Sequence, residues 1–270
     1  MPKITLVTPS FNQGSYLAQT IESVIGQRYE HLEYFVVDGG SADDSLDVIR
    51  EYSNQITWHV SEADTGQAAA LIKGFSRATG DVMGWINSDD LLEPGALEAV
   101  GRAYRQNPGT VIAGNVMLFA DPSGRNRLLR PRNLNFQDMV EIWTGKSFFS
   151  QPGVFFPRRA YEEVGGLDVN LHYCMDQDLI TRLVRVCPVV YINEVLARAR
   201  QHRASKTCSQ SGRMVVESCV VARRYLKESP GGENCLSRCF LAAYFLRRVA
   251  GRFYHGELAA AWFLLKHFLR

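Results

Sequence analysis

Val82-Met83-Gly84-Trp85-Ile86-Asn87-Ser88-Asp89-Asp90 is the stretch on which the reading of this chain turns. Its apolar run (Val82, Met83, Trp85, Ile86) stops at two adjacent carboxylates, with Gly80-Asp81 before it and Leu91-Leu92-Glu93-Pro94 after it. Such a run predicts a buried strand that delivers its charges to one end of a sheet. In open α/β sheets ligands bind there, outside the carboxyl ends of the strands. Adjacent acids repel each other, so the arrangement needs a compensating partner. A divalent cation is one, because it lets carboxylates sit beside a diphosphate that they would otherwise reject. The plainer alternative is a solvated turn with an aspartate capping the next helix.

The flanking segments repeat one order. Ile4 to Thr8 predicts a first strand, and Tyr16 to Ile25 has apolar residues at helical spacing. Tyr34 to Val37 predicts a second strand and Asp44 to Tyr52 a helix; Ile56 to Val60 predicts a third strand and Gln67 to Ala78 a helix. Val82 to Ile86 is the fourth strand, and Pro94, whose fixed φ suits a first turn, opens a helix to about Asn107. Strands alternating with helices predict a mainly parallel central sheet covered on both faces. Polar clusters close three of the strands: Pro9-Ser10-Phe11-Asn12, Asp38-Gly39-Gly40-Ser41 and Asn87-Ser88-Asp89-Asp90. Their convergence on one edge would make a nucleotide crevice.

Beyond Val111 the pattern changes. Val111 to Phe119 predicts a strand, Asp121 to Arg132 a loop rich in Pro, Gly and Arg, and Gln151 to Pro157 a further strand. A helix from Arg158 to Val164 ends at Gly165-Gly166, as glycine commonly ends helices. Asp176 to Val186 predicts a helix and Val189 to Val195 a strand; from about Gly212 the chain is helical, broken by Pro230-Gly231-Gly232 and Gly251. The expected organisation is one α/β domain over 1–211, with halves at 1–110 and 111–211, and a C-terminal helical region over 212–270.

Charge is unevenly placed. Residues 221–270 hold nine Lys/Arg and three acids, so this end is +6; the overall charge of +2 leaves the rest at −4. A basic end on a mildly acidic body points to a separate partner for that end. Its aromatic and basic residues (Phe240, Tyr244, Arg247, Arg248, Trp262, Phe263) suit peripheral contact with an anionic bilayer. They would equally suit packing on the body or on a second subunit of a homo-oligomer. The longest apolar runs, Cys239 to Leu246 and Leu258 to Leu265, are about eight residues, short of the ~20 that a membrane span needs. Six cysteines form no C-x-x-C pair, and the first strand follows Met1-Pro2-Lys3 directly, so reduced thiols and a cytoplasmic location are expected. No G-x-G-x-x-G follows the first strand and no P-loop is present, which disfavours a dinucleotide dehydrogenase and a kinase-like NTPase. Without a Gly-rich loop and partnered Lys near the N-terminus, a nucleotidyltransferase lacks support. No nucleic-acid partner is expected.

Taken in order, the motifs resemble family-2 glycosyltransferases of the inverting GT-A type. The blocks are Val7-Thr8-Pro9-Ser10-Phe11-Asn12; Ser23-Val24-Ile25-Gly26-Gln27 with Val36-Val37-Asp38-Gly39-Gly40-Ser41; Glu62-Ala63-Asp64-Thr65-Gly66-Gln67 with Lys73-Gly74; and Asn87-Ser88-Asp89-Asp90. Gly165-Gly166-Leu167-Asp168, then Asp176-Gln177-Asp178-Leu179 with Arg182-Leu183, and finally His202, Ser205 and Thr207 complete a resemblance that spans Ile4 to Thr207. Two positions depart from the pattern. Asn87 stands at the first position of the family's Asp-any-Asp metal motif, and Ile72 stands where many relatives place Asn.

The resemblance implies a set of roles. Residues 111–211 become the acceptor half. Pro9, Ser10 and Phe11 would line base and ribose, and Asp38 would accept from a uracil N–H unless it is spent on an Asx turn. Glu62 and Asp64 would orient ribose or metal waters, with Asp64 as a helix cap the alternative; Lys73, Asn87 and Ser88 complete the donor side. Asp89 would face the ribose, while Asp90 and His202 would bind Mn²⁺ or Mg²⁺, hard ions suited to oxygen ligands and a diphosphate. Asp176 stands at the catalytic-base position, with a helix N-cap the alternative, and Asp178, two residues on, would point elsewhere and cap that helix or pair with Arg182. Trp143, Phe148, Phe149 and Gln151 would form an acceptor wall, whereas Phe155 and Phe156 read as core. The implied activity moves a sugar from a nucleotide-sugar, a UDP-sugar foremost, to a hydroxyl of a glycan or lipid-linked acceptor in polysaccharide or glycolipid synthesis. The inner face of the cytoplasmic membrane is the expected place. The competing possibility is a non-catalytic or nucleotidyltransferase-like protein of the same fold that binds nucleotide-sugars.

Overall fold

The computed structural model describes residues 1–120, 125–202, 205, 210–229 and 243–244. Strands β1 (Ile4–Ser10), β2 (Leu32–Asp38), β3 (Trp58–Ser61) and β4 (Val82–Trp85) run parallel in the order β3-β2-β1-β4. β1 and β4 are buried at every position, as parallel strands covered on both faces must be. Helices α1 (Gly14–Ile25), α2 (Ser45–Glu51) and α3 (Gln67–Phe75) supply the crossovers. Because successive strand side chains point to opposite faces, β1 feeds two cores. Val7 joins Phe35, Val37, Leu71 and Phe75 on one face, while Ile4 and Leu6 join Val36, Leu17 and Ile21 on the other.

The second half comprises β5 (Leu91–Leu92), α4 (Ala96–Gln106), β6 (Val111–Phe119), β7 (Arg127–Leu129), α5 (Phe136–Val140), β8 (Val154–Pro157), α6 (Arg158–Glu163), α7 (Met175–Val186), β9 (Val189–Arg200) and α8 (Ser211–Leu226). It extends the same sheet as β4-β8-β6-β9-β5, with β7 attached to β6. The parallel character expected from alternation holds for the first four strands. The extension is mixed: β8 is antiparallel to both neighbours, β6 and β9 are parallel, and β5 and β7 are antiparallel edges.

Several boundaries move for local reasons. Gly95 takes a left-handed φ of +80°, so α4 begins at Ala96 rather than at Pro94. Pro152 sits at the start of a 3₁₀ turn (Gln151–Gly153), so the strand begins at Val154. Part of the expected 121–132 loop is the hairpin strand β7, and β9 runs on past Val195 to Arg200. Helix α8 packs into the body, with Cys219, Val221, Ala222, Tyr225 and Leu226 in the same core as α7. Fully buried Asp178 of α7 accepts from Arg182 Nε (3.0 Å) and Nη2 (2.6 Å), from Arg224 Nη1 (2.8 Å) and from the Tyr225 hydroxyl (2.7 Å). Most of the basic C-terminal end, and with it the expected membrane contact, lies outside the described residues.

One buried acid staples the parallel half. Glu33 of β2 accepts from Thr5 Oγ1 (2.6 Å), Thr79 N (2.8 Å) and Thr79 Oγ1 (2.8 Å), with Lys3 Nζ at 2.9 Å. Burial pushes its carboxyl up, but these donors outweigh it and hold the group at about 2 rather than 4.5. A depressed carboxylate stabilises the fold above its unfolded value, and the contribution fades as pH falls through the folded value. Glu33→Gln is expected to lower unfolding free energy at pH 7 by about 2 kcal/mol. The deficit should shrink as pH is lowered from 4.5 toward 2, which urea titrations across that window would measure.

Candidate functional site

Register brings the polar strand ends together. Ser10 pairs with Asp38 and Asp38 with Ser61, while Val7 pairs with Trp85 and accepts from the Ile86 N–H at 3.0 Å. The three clusters therefore share the carboxyl edge of β1, β2 and β4. Asp38 is fully buried. Its Oδ2 accepts from Gly40 N (3.1 Å), Ser41 N (2.9 Å) and Ser61 Oγ (2.7 Å), and its Oδ1 from Ser41 Oγ (2.5 Å). The carboxylate thus organises an Asx-type turn, so a base N–H would have to compete with four donors. Gly39 lies against Asp64, whose Oδ2 would be 3.0 Å from an added Cβ, and Gly40 adopts φ +81°. A side chain at Gly39 would press on the Asp64 carboxylate, and one at Gly40 would meet the backbone of Ala63 at 3.1 Å. Asp64 also accepts from Gly66 N at 2.8 Å, in the turn just before α3, whose N-cap is Gly66 itself. Asn12 ties the first loop to the second through Ser41 Oγ (2.7 Å) and Ala42 N (2.9 Å).

At the same edge Phe11 is 60% exposed, which is unusual for so large an apolar ring. Pro9 is buried, and the buried Ser10 hydroxyl has no hydrogen-bond partner. An orphaned hydroxyl of this kind is a group that a ligand can satisfy. Glu62 and Lys73 pair with each other at 2.6 Å, so each offsets the other's charge at the rim.

The acid turn divides its carboxylates differently from the expectation. Asp90 is turned inward and only 5% exposed. It accepts from Arg200 N (2.9 Å) and Asn87 Nδ2 (3.1 Å), and Asn87 in turn accepts from Gln67 Nε2 (2.7 Å). Burial, reinforced by the neighbouring Asp89 charge, pushes the Asp90 carboxyl up to about 8. His202 does not meet Asp90; its Nε2 lies 2.9 Å from Asp89 Oδ2, and both side chains keep partial exposure. The physical reason is the path of β9, whose end hands a backbone N–H to Asp90 and only then, two residues later, delivers the imidazole. Tyr16 packs on the His202 ring with centroids 5.0 Å apart. Arg200 donates to the Asp89 carbonyl (2.9 Å) and to Gln19 (2.7 Å), and its guanidinium lies over Tyr16 and Phe119. Ser88 is buried, and its carbonyl accepts from Thr20 Oγ1 at 2.9 Å. Sequence reasoning missed Tyr16, Thr20 and Arg200, for which spacing carries no signal, and gave Gln67 no role beyond its place in the third block.

Asp176 lies in the first turn of α7 and accepts from Gln177 N at 2.8 Å. No cation pairs with it among the described residues. Burial pushes its carboxyl up to about 6 against that N–H, and the charge of Glu217 adds to the rise. Glu217 of α8 also receives the backbone N–H groups of His172 (3.0 Å), Tyr173 (2.5 Å) and Cys174 (2.6 Å), which holds the entry to α7. That entry lies close to the start of α3: a Cβ added at Gly66 would be 3.6 Å from His172 Nδ1. Gly66 precedes Gln67, whose amide donates to Asn87, so the α7 entry lies near the residues that hold the acid turn. Of the expected acceptor wall, Gln151 donates to the Trp85 carbonyl at 2.8 Å, while Trp143 and Phe149 pack on the core edge. Phe155 and Phe156 are core, as read.

An α/β sheet that extends four parallel strands into a mixed second half and gathers polar strand ends and paired acids on the carboxyl edge of the parallel strands is of the GT-A class. The chain belongs to glycosyl transferase family 2, whose family model matches residues 5–165. It is 32% identical over 220 residues to an uncharacterized glycosyltransferase of Nostoc sp., covering 77% of this chain and 67% of that protein. It is 25% identical to an uncharacterized glycosyltransferase of Rickettsia typhi, covering 76% of this chain and 66% of that one. Against a further Rickettsia relative, from R. felis, the chain spans about a third of the length. Among solved structures, S. aureus TarS in complex with UDP superposes with a TM-score of 0.69 at 15% identity, covering 94% of this chain and 74% of that one. The mannosyltransferase PcManGT from Pyrobaculum calidifontis, in complex with GDP-Man and Mn²⁺, gives 0.59 at 17% identity, covering 98% and 79%. At such identities the likeness is one of fold.

The raised Asp176 value carries a stability consequence. An acid whose folded pKa exceeds its unfolded one costs no stability below the ordinary 3.8, and the cost grows until pH passes about 6. Asp176→Asn is therefore expected to raise unfolding free energy at pH 7 by on the order of 1 kcal/mol. The gain should shrink as pH is lowered toward 4, as read by denaturant unfolding at several pH values.

Proposed function

We propose that this chain is an inverting glycosyltransferase that moves a sugar from a nucleotide-diphosphate sugar, a UDP-sugar foremost, to a hydroxyl of a glycan or lipid-linked acceptor. The observation that carries the proposal is Asp176: a half-buried carboxylate in the first turn of α7, without a cationic partner among the described residues and with its carboxyl pushed up to about 6, on a helix entry that lies close to Gly66 at the sheet edge. Such a group is ionised at neutral pH yet basic enough to take a proton, which is what a general base requires. The names of the curated relatives and the UDP and UDP-GlcNAc complexes of TarS support the donor class.

The donor's base would sit over Phe11 and Pro9, with the Ser10 hydroxyl as a free partner and the turn built by Asp38 as the wall. Asp89 and His202 fit a divalent cation better than Asp90 and His202 do, because Asp90 is spent on Asn87 and on the Arg200 backbone. Among the described residues no three His, Cys, Asp or Glu side chains form a closed cage, so diphosphate oxygens would complete the coordination. Mn²⁺ or Mg²⁺ bound there would offset the charge that develops on the diphosphate, a choice supported by the Mn²⁺ complex of PcManGT. Asp176 takes the acceptor hydroxyl's proton as its oxygen attacks the anomeric carbon. The bond to the diphosphate breaks on the opposite face, so the anomeric configuration inverts. Glu217 holds the loop that places Asp176. No described helix is long and apolar enough to cross a membrane; work at the inner membrane surface, in polysaccharide or glycolipid synthesis, belongs to the proposal through the basic C-terminal end.

Asp176→Asn should keep UDP binding, measured by calorimetry, and lose transfer by ~10²–10⁴-fold. Wild-type transfer should rise with pH through about 6 and then level, because only the ionised carboxylate accepts the proton. A rate independent of pH from 5 to 8 would reject Asp176 as the base. Asp89→Ala should abolish Mn²⁺-dependent UDP binding, and intact metal dependence in that variant would return the ligand role to Asp90.

A further inference from the structure

The acceptor half carries a cleft of about 370 Å³ along β7, lined by Arg127, Leu128, Leu129, Arg130, Arg132 and Phe148. Half of its lining is arginine and none of it is acidic. β7 is an edge strand of three residues, paired with β6 alone among the described residues. The facing wall is closed by backbone bonds in both directions between Arg132 and Phe148 (2.9 and 3.0 Å). The Arg132 guanidinium lies 5.2 Å from the Phe148 ring centroid and donates to the Gly145 carbonyl at 3.3 Å. Arg127 and Arg130 are exposed. Neither forms an ion pair among the described residues, whereas Arg50, Arg158, Arg182, Arg185 and Arg224 all do. Guanidinium groups crowded together without acids repel one another, and an oxyanion removes that cost. Their planar forks match carboxylate and phosphate groups in bidentate fashion.

The position of the cleft gives the anion a role. Phe148 is three residues from Gln151, whose amide holds the Trp85 carbonyl at the end of β4. Three residues of extended chain span at most about 11 Å, so the cleft adjoins the donor edge. Leu128, Leu129 and Phe148 line it beside the arginines, which suits a chain laid along the cleft rather than the flat plane of a bilayer. We infer that this cleft binds the oxyanions, carboxylate or phosphate, of an extended acceptor glycan, set back from the hydroxyl that receives the sugar. The inference deepens the proposed function, because it rests on residues 111–211 being the acceptor half.

The test uses the full chain, Arg127→Ala/Arg130→Ala and Arg127→Lys/Arg130→Lys, with thermal unfolding to verify that both variants fold like wild type. Fluorescence anisotropy would follow labelled oligogalacturonate, labelled short-chain polyphosphate and labelled neutral dextran, and sedimentation would follow phosphatidylglycerol vesicles. At least one anionic chain should bind wild type and weaken with salt. Its affinity should fall tenfold or more in the alanine variant and by less in the lysine variant. Dextran should not bind, and UDP affinity should stay unchanged in both variants. Failure of both anionic chains to bind, equal binding of dextran, or undiminished binding by the alanine variant would overturn the inference. Vesicle binding that alone depends on the two arginines would overturn it in favour of a membrane surface. Loss of UDP binding by wild type, with anionic chains still bound through the arginines, would sink the donor assignment and leave the cleft standing.

Discussion

The inward carboxylate of Asp90 is the contact on which the site depends. It receives one hydrogen bond from the Asn87 side chain on its own turn and one from the Arg200 backbone at the far end of β9. Those two bonds lock the last strand of the sheet to the turn after its fourth. Everything outward follows from that lock: Arg200 reaches the Asp89 carbonyl, and His202 arrives beside the Asp89 carboxylate. Asn87 is then less a weakened ligand than a donor that a buried acid needs. An aspartate at position 87 would place a third carboxyl against two others and would lack the N–H that Asp90 accepts.

The second half is held by a second set of acids, supplied or satisfied by α8. Asp178 has no exposed surface and depends on Arg224 and Tyr225 as well as on Arg182. Glu217 gathers three successive backbone N–H groups ahead of α7. Burying a carboxylate is tolerable only with such complete satisfaction. Helix α8 lies beyond the 5–165 segment that the family model matches, yet it positions the entry to α7. The boundary expected near residue 212 is therefore a change in composition that begins inside the packed body.

The parallel half was legible residue by residue. The strand end at Asp38, the acid turn that follows β4 and the crossover helices are local features, because periodicity and turn chemistry are local. Even the Asx turn at Asp38 was written in Asp-Gly-Gly-Ser. The second half was less readable. Its antiparallel pairings and the short strand β7 follow from which neighbours remain free once four parallel strands are in place, and no window of sequence carries that information.

The sequence by itself determined the order of strands and helices, the acids at the strand ends and the family they define, since each depends on residues within a turn or two of one another. Only the tertiary structure decided which acid meets His202, which acid is buried, and which residue holds the entry to Asp176. Those partners lie far apart along the chain, at Asp89 with His202, Asp90 with Arg200, and His172 with Glu217. The direction of a side chain at a strand end is set by the strand that closes over it, and that strand is chosen by packing across the whole sheet.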